Sequence, residues 1–350
     1  MNRKILASTL LSLGVILALA AVPISGAPAR AKVPGTNGLI AYSQITAAGP
    51  ANVFVANPDG SNPQQVPLPP DDPAETLGVP VWSPDGSTLL ISHTVRVFPD
   101  CFNSNTCLFQ PATVDPSGSN FNQLVPPNPP GASSDGMDCE AWFPGDTRIL
   151  CGFSGNPDAG VFSINASDGG DAIRLTTNPY STTGGVDAPT DISPDGTQFL
   201  FVRLHTKKNP HDPSPDTQPA LFIENTDGTG LRQLTARGKL SFGLPPAARF
   251  SPDATQIIGE IGNGKMFTIH PDGSHYADIN LQVTSWYFAF GPDWSPDGTR
   301  IIFCIFINGG EGIYTANPDG SNVEQVTFTT VGQNFTNMFN GPNWGVHPLQ

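Results

Sequence analysis

Apolar residues along this chain come in short runs, and turn residues close each run before a helical period can establish itself. The segment Asn52-Val53-Phe54-Val55-Ala56-Asn57, followed at once by Pro58-Asp59-Gly60, is representative. No long stretch repeats apolar residues at three- and four-residue spacing, so the pattern predicts many short strands joined by tight turns. One run differs. Ile5 to Val22 is a long, predominantly apolar stretch, preceded by Arg3-Lys4 and followed by the small residues Ser25-Gly26-Ala27-Pro28-Ala29. A positive start, an apolar middle and a small-residue cleavage zone predict a cleaved signal peptide over residues 1–31, leaving 32–350 as the mature chain. The competing reading is an uncleaved anchor, because the run is nearly long enough to cross a bilayer.

Aligning the chain with itself exposes a repeating unit, clearest from Pro292-Asp293-Trp294-Ser295-Pro296-Asp297-Gly298 through Gly312-Ile313-Tyr314 and Asn317-Pro318-Asp319-Gly320-Ser321 to Gln325-Val326-Thr327. It parses as four strands, A to D, with one turn between A and B and a second between C and D. In each turn proline presets φ, aspartate bonds nearby backbone, and glycine accepts a left-handed conformation. The motif is structural punctuation. The second turn occurs six times, at Pro58-Asp59-Gly60, Pro116-Ser117-Gly118, Ser167-Asp168-Gly169, Thr226-Asp227-Gly228, Pro271-Asp272-Gly273 and Pro318-Asp319-Gly320. The first occurs five times, at Pro84-Asp85-Gly86, Pro144-Gly145-Asp146, Pro194-Asp195-Gly196, Pro252-Asp253-Ala254 and Pro296-Asp297-Gly298.

A period of this length built from four short strands predicts an all-β, six-bladed β-propeller. One blade lacks its opening strand, and Gly341-Pro342-Asn343-Trp344 matches Gly291-Pro292-Asp293-Trp294 near the far end of the chain. The C-terminal strand is therefore expected to complete the N-terminal blade and close the ring. Trp82, Trp142, Trp294 and Trp344, with Ile192 and Phe250, recur at one position and are expected to pack between blades.

The pattern Pro-x-Trp-Ser-Pro-Asp-Gly, an apolar strand, Ile-Tyr-x-x-Asn-Pro-Asp-Gly-Ser and Gln-Val-Thr resembles the WD40-like (PD40) repeat of the TolB-like propellers, named for a periplasmic protein. The resemblance spans nearly all of residues 36–350. It implies fold, and little about activity, because propellers host many functions. TolB itself carries an α/β domain ahead of its propeller, whereas this chain enters its first blade near Gly38, so a stand-alone propeller is expected.

Composition narrows the partners. The formal charge is -14. Long-range repulsion then disfavours nucleic acid and anionic lipid surfaces, and no stable membrane insertion is expected after signal cleavage. A protein or peptide ligand in the periplasm or outside the cell is the expected partner. Five cysteines suit an oxidising compartment. Cys101 and Cys107 bracket a short loop, and Cys139 and Cys151 lie symmetrically about a hairpin turn, predicting two disulfides with Cys304 left over.

Because the turns are stereotyped, binding is expected on the opposite face, where two B-to-C loops are long. The blade 2 insertion holds Arg96 and Phe98. The blade 4 insertion holds His205, Lys207, Lys208, His211 and Asp212, a basic and hydrogen-bonding set suited to a partner's carboxylates. Solvated loops without a ligand are the bland alternative. Asp191, Arg249 and Asp293 sit beside the recurring aromatic position and form a second candidate set at the central channel, with Arg249 between the other two; a structural ring of ion pairs is its competing reading. No nucleophile elbow, zinc-protease motif or phosphate loop occurs, and neither a metal site nor a cofactor is expected. The primary reading is a non-catalytic interaction module. The alternative is a glycan hydrolase or lyase whose carboxylates converge at the channel mouth.

Overall fold

A computed structural model describes residues 35–45, 51–68, 80–96, 107–125, 137–153, 160–177, 185–204, 206–207, 216–217, 219–240, 248–261, 264–283, 285, 287–307, 310–328 and 342–346. Within them the chain forms six antiparallel four-stranded sheets and one two-stranded hairpin. Blades 2 to 6 each follow chain order from the axis outward. Their innermost strands are Val81–Trp82, Met137–Trp142, Val186–Ile192, Ala248–Phe250 and Tyr287–Trp294.

Blade 1 is assembled from both ends of the sequence. Asn343–Val346 is its innermost strand, followed outward by Asn37–Ile45, Ala51–Ala56 and Gln64–Gln65. Ile40 lies opposite Trp344 and Ala41 opposite Asn343. Pairing the first complete strand with the last leaves no open seam in the ring, the arrangement that removes a sticky sheet edge. Both flanks of the closing blade are tight. A Cβ on Gly345 would stand 2.6 Å from the Trp82 ring of blade 2, and one on Gly60 would collide with the Val326 carbonyl of blade 6.

The cores lie between blades. Leu89, Ile91 and Val114 of blade 2 pack with Ala41, Val53 and Val55 of blade 1, and equivalent clusters fill the other seams. Trp82, Trp142, Trp294 and Trp344 are all buried, as expected of inter-blade packing.

Four of the five A-to-B turns share one clasp. In blade 2, Ser83 Oγ donates to Asp85 Oδ1 at 2.6 Å, and the backbone and hydroxyl of Ser87 donate to the same oxygen at 2.9 and 2.8 Å. Asp195, Asp253 and Asp297 are held in the same way. Burial opposes ionisation at these sites, but the donated hydrogen bonds prevail and hold the carboxyls below their ordinary value. The C-to-D turns stand beside the A-to-B turns: Ala166 N–H donates to the Thr147 carbonyl, and Thr226 N–H to that of Thr197, each at 2.9 Å. In these blades the turns therefore share one face, and the far ends of the second strands lie at the other.

Candidate functional site

An innermost strand has a ladder partner on one side only, so some of its N–H groups face the channel and need acceptors from elsewhere. In three blades the residue preceding the recurring Ile or Trp supplies one. Asp191 Oδ2 accepts the Phe250 N–H of blade 5 at 2.8 Å. Asp293 Oδ2 accepts the Trp344 N–H at 3.0 Å and the Asn343 side-chain amide at 2.9 Å. Asn343 Oδ1 in turn accepts the Trp82 N–H of blade 2 at 2.8 Å. In blades 4 and 6 the strand register shifts just ahead of Asp191 and Asp293, a bulge of the kind that re-aims a side chain.

Arg249, from blade 5, has its ion pair with Glu140 of blade 3: Nη2 lies 3.7 Å from Oε2, and Nη1 donates to the Glu140 carbonyl at 3.5 Å. The sequence placed Arg249 between the carboxylates of the adjoining blades. Its guanidinium reaches past blade 4, whose Asp191 stands beside it at the channel, to blade 3. All six blades contribute to the cavity beside it, which measures about 40 Å³, room for a few waters at most. A sugar ring does not fit there. The carboxylates of Asp191 and Asp293 hold neighbouring strands together and leave no space for a substrate between them.

Two buried charged groups went unmarked in the sequence. Arg203 makes a bidentate contact with Asp187 at 2.7 and 2.8 Å, and its guanidinium stacks over Phe201 and Phe222 at 5.1 and 5.3 Å. Its strand, Gln198–Leu204, leads directly into the blade 4 insertion. Glu260 accepts the Gly291 N–H of blade 6 at 2.6 Å. Burial drives its carboxyl up from 4.5 to about 7, against the lowering pull of that hydrogen bond.

A raised carboxyl binds protons more tightly in the folded state. Its contribution to stability is present below pH 4.5 and is lost as pH rises through about 7. Glu311, also raised to about 7 by burial, adds in the same direction. The clasped turn aspartates have the opposite sign, losing stability as pH falls below their ordinary 3.8. Thermal stability is therefore expected to peak near pH 4 to 5 and to decline towards pH 8. Glu260→Gln keeps an acceptor for Gly291 and removes the titration. It should recover on the order of 3 kcal/mol at neutral pH. Melting curves at pH 5 and pH 8 check this, and an unchanged pH difference in the variant would contradict it.

The loop residues fall largely elsewhere. Phe98, His205, Lys208, His211, Asp212 and Cys101, and with Cys101 its proposed bridge to Cys107, lie outside the described residues. Arg96 ends a strand opposite Cys107. Lys207 belongs to the hairpin Thr206–Lys207/Asp216–Thr217, where it pairs with Asp216 and extends blade 4 beyond the four-strand plan. Cys139 and Cys151 form the expected disulfide across strands A and B of blade 3, and Cys304 is buried outside any disulfide.

The one A-to-B turn without the clasp is in blade 3. Phe143 replaces the serine, Gly145 the aspartate, and Asp146 the glycine, in a left-handed conformation with φ 58°. Burial first, and then the neighbouring Asp85, raise the Asp146 carboxyl to about 6, although the Asp85 backbone N–H pulls it down. Beside this turn a cleft of about 660 Å³ opens between blades 2 and 3. Sequence reasoning passed over it. Its signal was the inverted Gly145-Asp146 order.

No family model matches this chain, and no curated protein matches it. Solved structures do. A putative TolB from Agrobacterium tumefaciens is 16% identical, with 90% of this chain and 99% of that one covered at a TM-score of 0.57. The fold is that of a TolB propeller. TolB from Acinetobacter baumannii is 17% identical over 88% of this chain and 66% of its own, with a TM-score of 0.58. A chain of the nidogen/laminin complex, 11% identical, covers 89% of this chain and all of its own at 0.57. The TolB-like likeness is one of architecture, and it agrees with the six blades and with the repeat.

Proposed function

We propose that this propeller is an exported interaction module that presents its two insertion loops, from blades 2 and 4, to a protein or peptide. The observation that carries the reading is the contrast between the axis and the blade 4 insertion. At the axis, Asp191, Asp293 and Asn343 are committed to inter-blade hydrogen bonds around a cavity of about 40 Å³. In blade 4, the Thr206–Lys207 hairpin stands apart from the four-stranded sheet and carries Lys207, with Lys208 and His211 following in sequence. Insertions on a rigid scaffold are where recognition residues concentrate. The nidogen/laminin complex shows this fold within a protein–protein assembly. The buried Cys139–Cys151 disulfide suits an oxidising compartment, and with the signal-peptide pattern of residues 1–31 it supports export to the periplasm or beyond. No helix among the described residues is long and apolar enough to cross a membrane.

Crosslinking the exported protein in its native envelope, followed by quantitative recovery, tests the proposal. Replacing Lys207, Lys208 and His211 together by alanine is expected to weaken capture of the recovered partner about tenfold while melting is unchanged. Equal capture by the variant would exclude this loop.

A further inference from the structure

We propose that the cleft between blades 2 and 3 binds an uncharged polyhydroxylated ligand, a short neutral saccharide. The cleft lies on the turn face, opposite the insertion loops, so it is independent of the interaction reading above. At about 660 Å³ it falls in the size range of small-molecule sites, roughly 300–1,000 Å³. The channel at the axis, at about 40 Å³, does not.

The cleft's chemistry selects the ligand. Its walls carry hydroxyls and amides from both blades together with the edge of Trp142, and no lysine or arginine among them. Arg148, in the adjoining strand, is engaged with Ser163, Asn165 and Asp171. An anionic ligand would therefore meet Asp85 and Asp146 with no compensating cation. A metal ion is disfavoured as well, because no group of three or more metal-binding side chains occurs among the described residues.

A cationic ligand finds Asp85 already committed. Asp85 takes hydrogen bonds from the Ser83 hydroxyl, the Ser87 N–H and the Ser87 hydroxyl, whose proton is within reach of both carboxylate oxygens. Asp146 Oδ1 is buried without a hydrogen-bond partner, out of the reach of solvent. What remains is neutral. The hydroxyls of Thr113, Thr147 and Ser167 line the cleft and make no side-chain hydrogen bond among the described residues. Asn122 spans the seam by donating to the Ser167 carbonyl at 2.9 Å, which fixes the spacing of the two walls. Hydroxyls that both donate and accept, spread over two walls, match the alternating donors and acceptors of a sugar's hydroxyls.

The test is calorimetric titration of the full chain with cellotriose, maltotriose and chitotriose, with lysine amide and inorganic phosphate as comparators. At least one trisaccharide is expected to bind saturably with a Kd below about 1 mM, and neither comparator is expected to bind. Thr147→Trp and Ser167→Trp, at two exposed positions on the blade 3 wall, should each weaken binding about tenfold or more at an unchanged melting temperature, whereas Thr147→Ser should retain it. Two blocking variants are used so that a folding defect in one leaves the other to decide. Failure of all three sugars to bind, tighter binding of lysine amide or phosphate, or binding indifferent to both tryptophans would overturn the proposal.

Discussion

Asp187→Ala is expected to cost about 3–5 kcal/mol of stability, among the largest effects of any single substitution in this chain. Asp187 is fully buried, and Arg203 is 5% exposed. Removing the carboxylate deletes both arms of a bidentate contact and leaves a permanently charged, buried guanidinium over two phenylalanine rings. Glu224 does not rescue it cheaply. Its Oε2 is buried without a hydrogen-bond partner, and burial, working against the nearby Arg203, already raises its carboxyl. For a protein of this size the loss should lower the melting temperature by roughly 5–15 °C. The double replacement Asp187→Leu with Arg203→Met removes both charges and should recover most of the loss, because the cost arises from the orphaned charge rather than from the missing attraction. Thermal or urea unfolding of the three proteins checks the pair. A single variant as stable as the parent would show that the buried pair is dispensable.

Legibility in the sequence followed the chemistry of each feature. The Pro-Asp-Gly turns were readable because the backbone conformations they impose are tied to residue type, and counting them gave both the number of blades and the missing strand. Trp344 could be assigned to a distant blade because it repeats the context of Trp294. Cys139 and Cys151 were readable as a pair because a hairpin turn lies midway between them.

The channel was readable only as a column of polar residues. Asp191, Asp293 and Asn343 serve backbone N–H groups of the next blade, and a backbone donor leaves no mark on the residue that carries it. The pairing of Arg249 with Glu140, two blades away, depends on a distance that no local pattern encodes. Glu260, set inside Ile257-Ile258-Gly259-Glu260-Ile261, was visible as a charge in an apolar run; its meaning came from the Gly291 N–H of blade 6. The cleft between blades 2 and 3 is a gap between elements distant in sequence, and only the reversed Gly145-Asp146 order hinted at it.

Closure of the ring by its C-terminal strand makes that strand's removal the second large effect. Removing residues 341–350 takes away Asn343 and Trp344, which are 4% and 6% exposed. Loss of a buried tryptophan alone costs about 3–5 kcal/mol. The deletion also strands the N–H of Trp82 and the carboxylate of Asp293, and it opens the inner edge of Asn37–Ile45, which becomes a site for association with a second chain. The damage therefore spreads over blades 6, 1 and 2 at once. Thermal unfolding of the truncated protein, followed by circular dichroism beside the full chain, is the most direct measurement. A melting temperature lowered by roughly 10 °C or more, or failure to fold, is the predicted result. Unfolding that coincides with that of the full chain would contradict ring closure by Asn343–Val346.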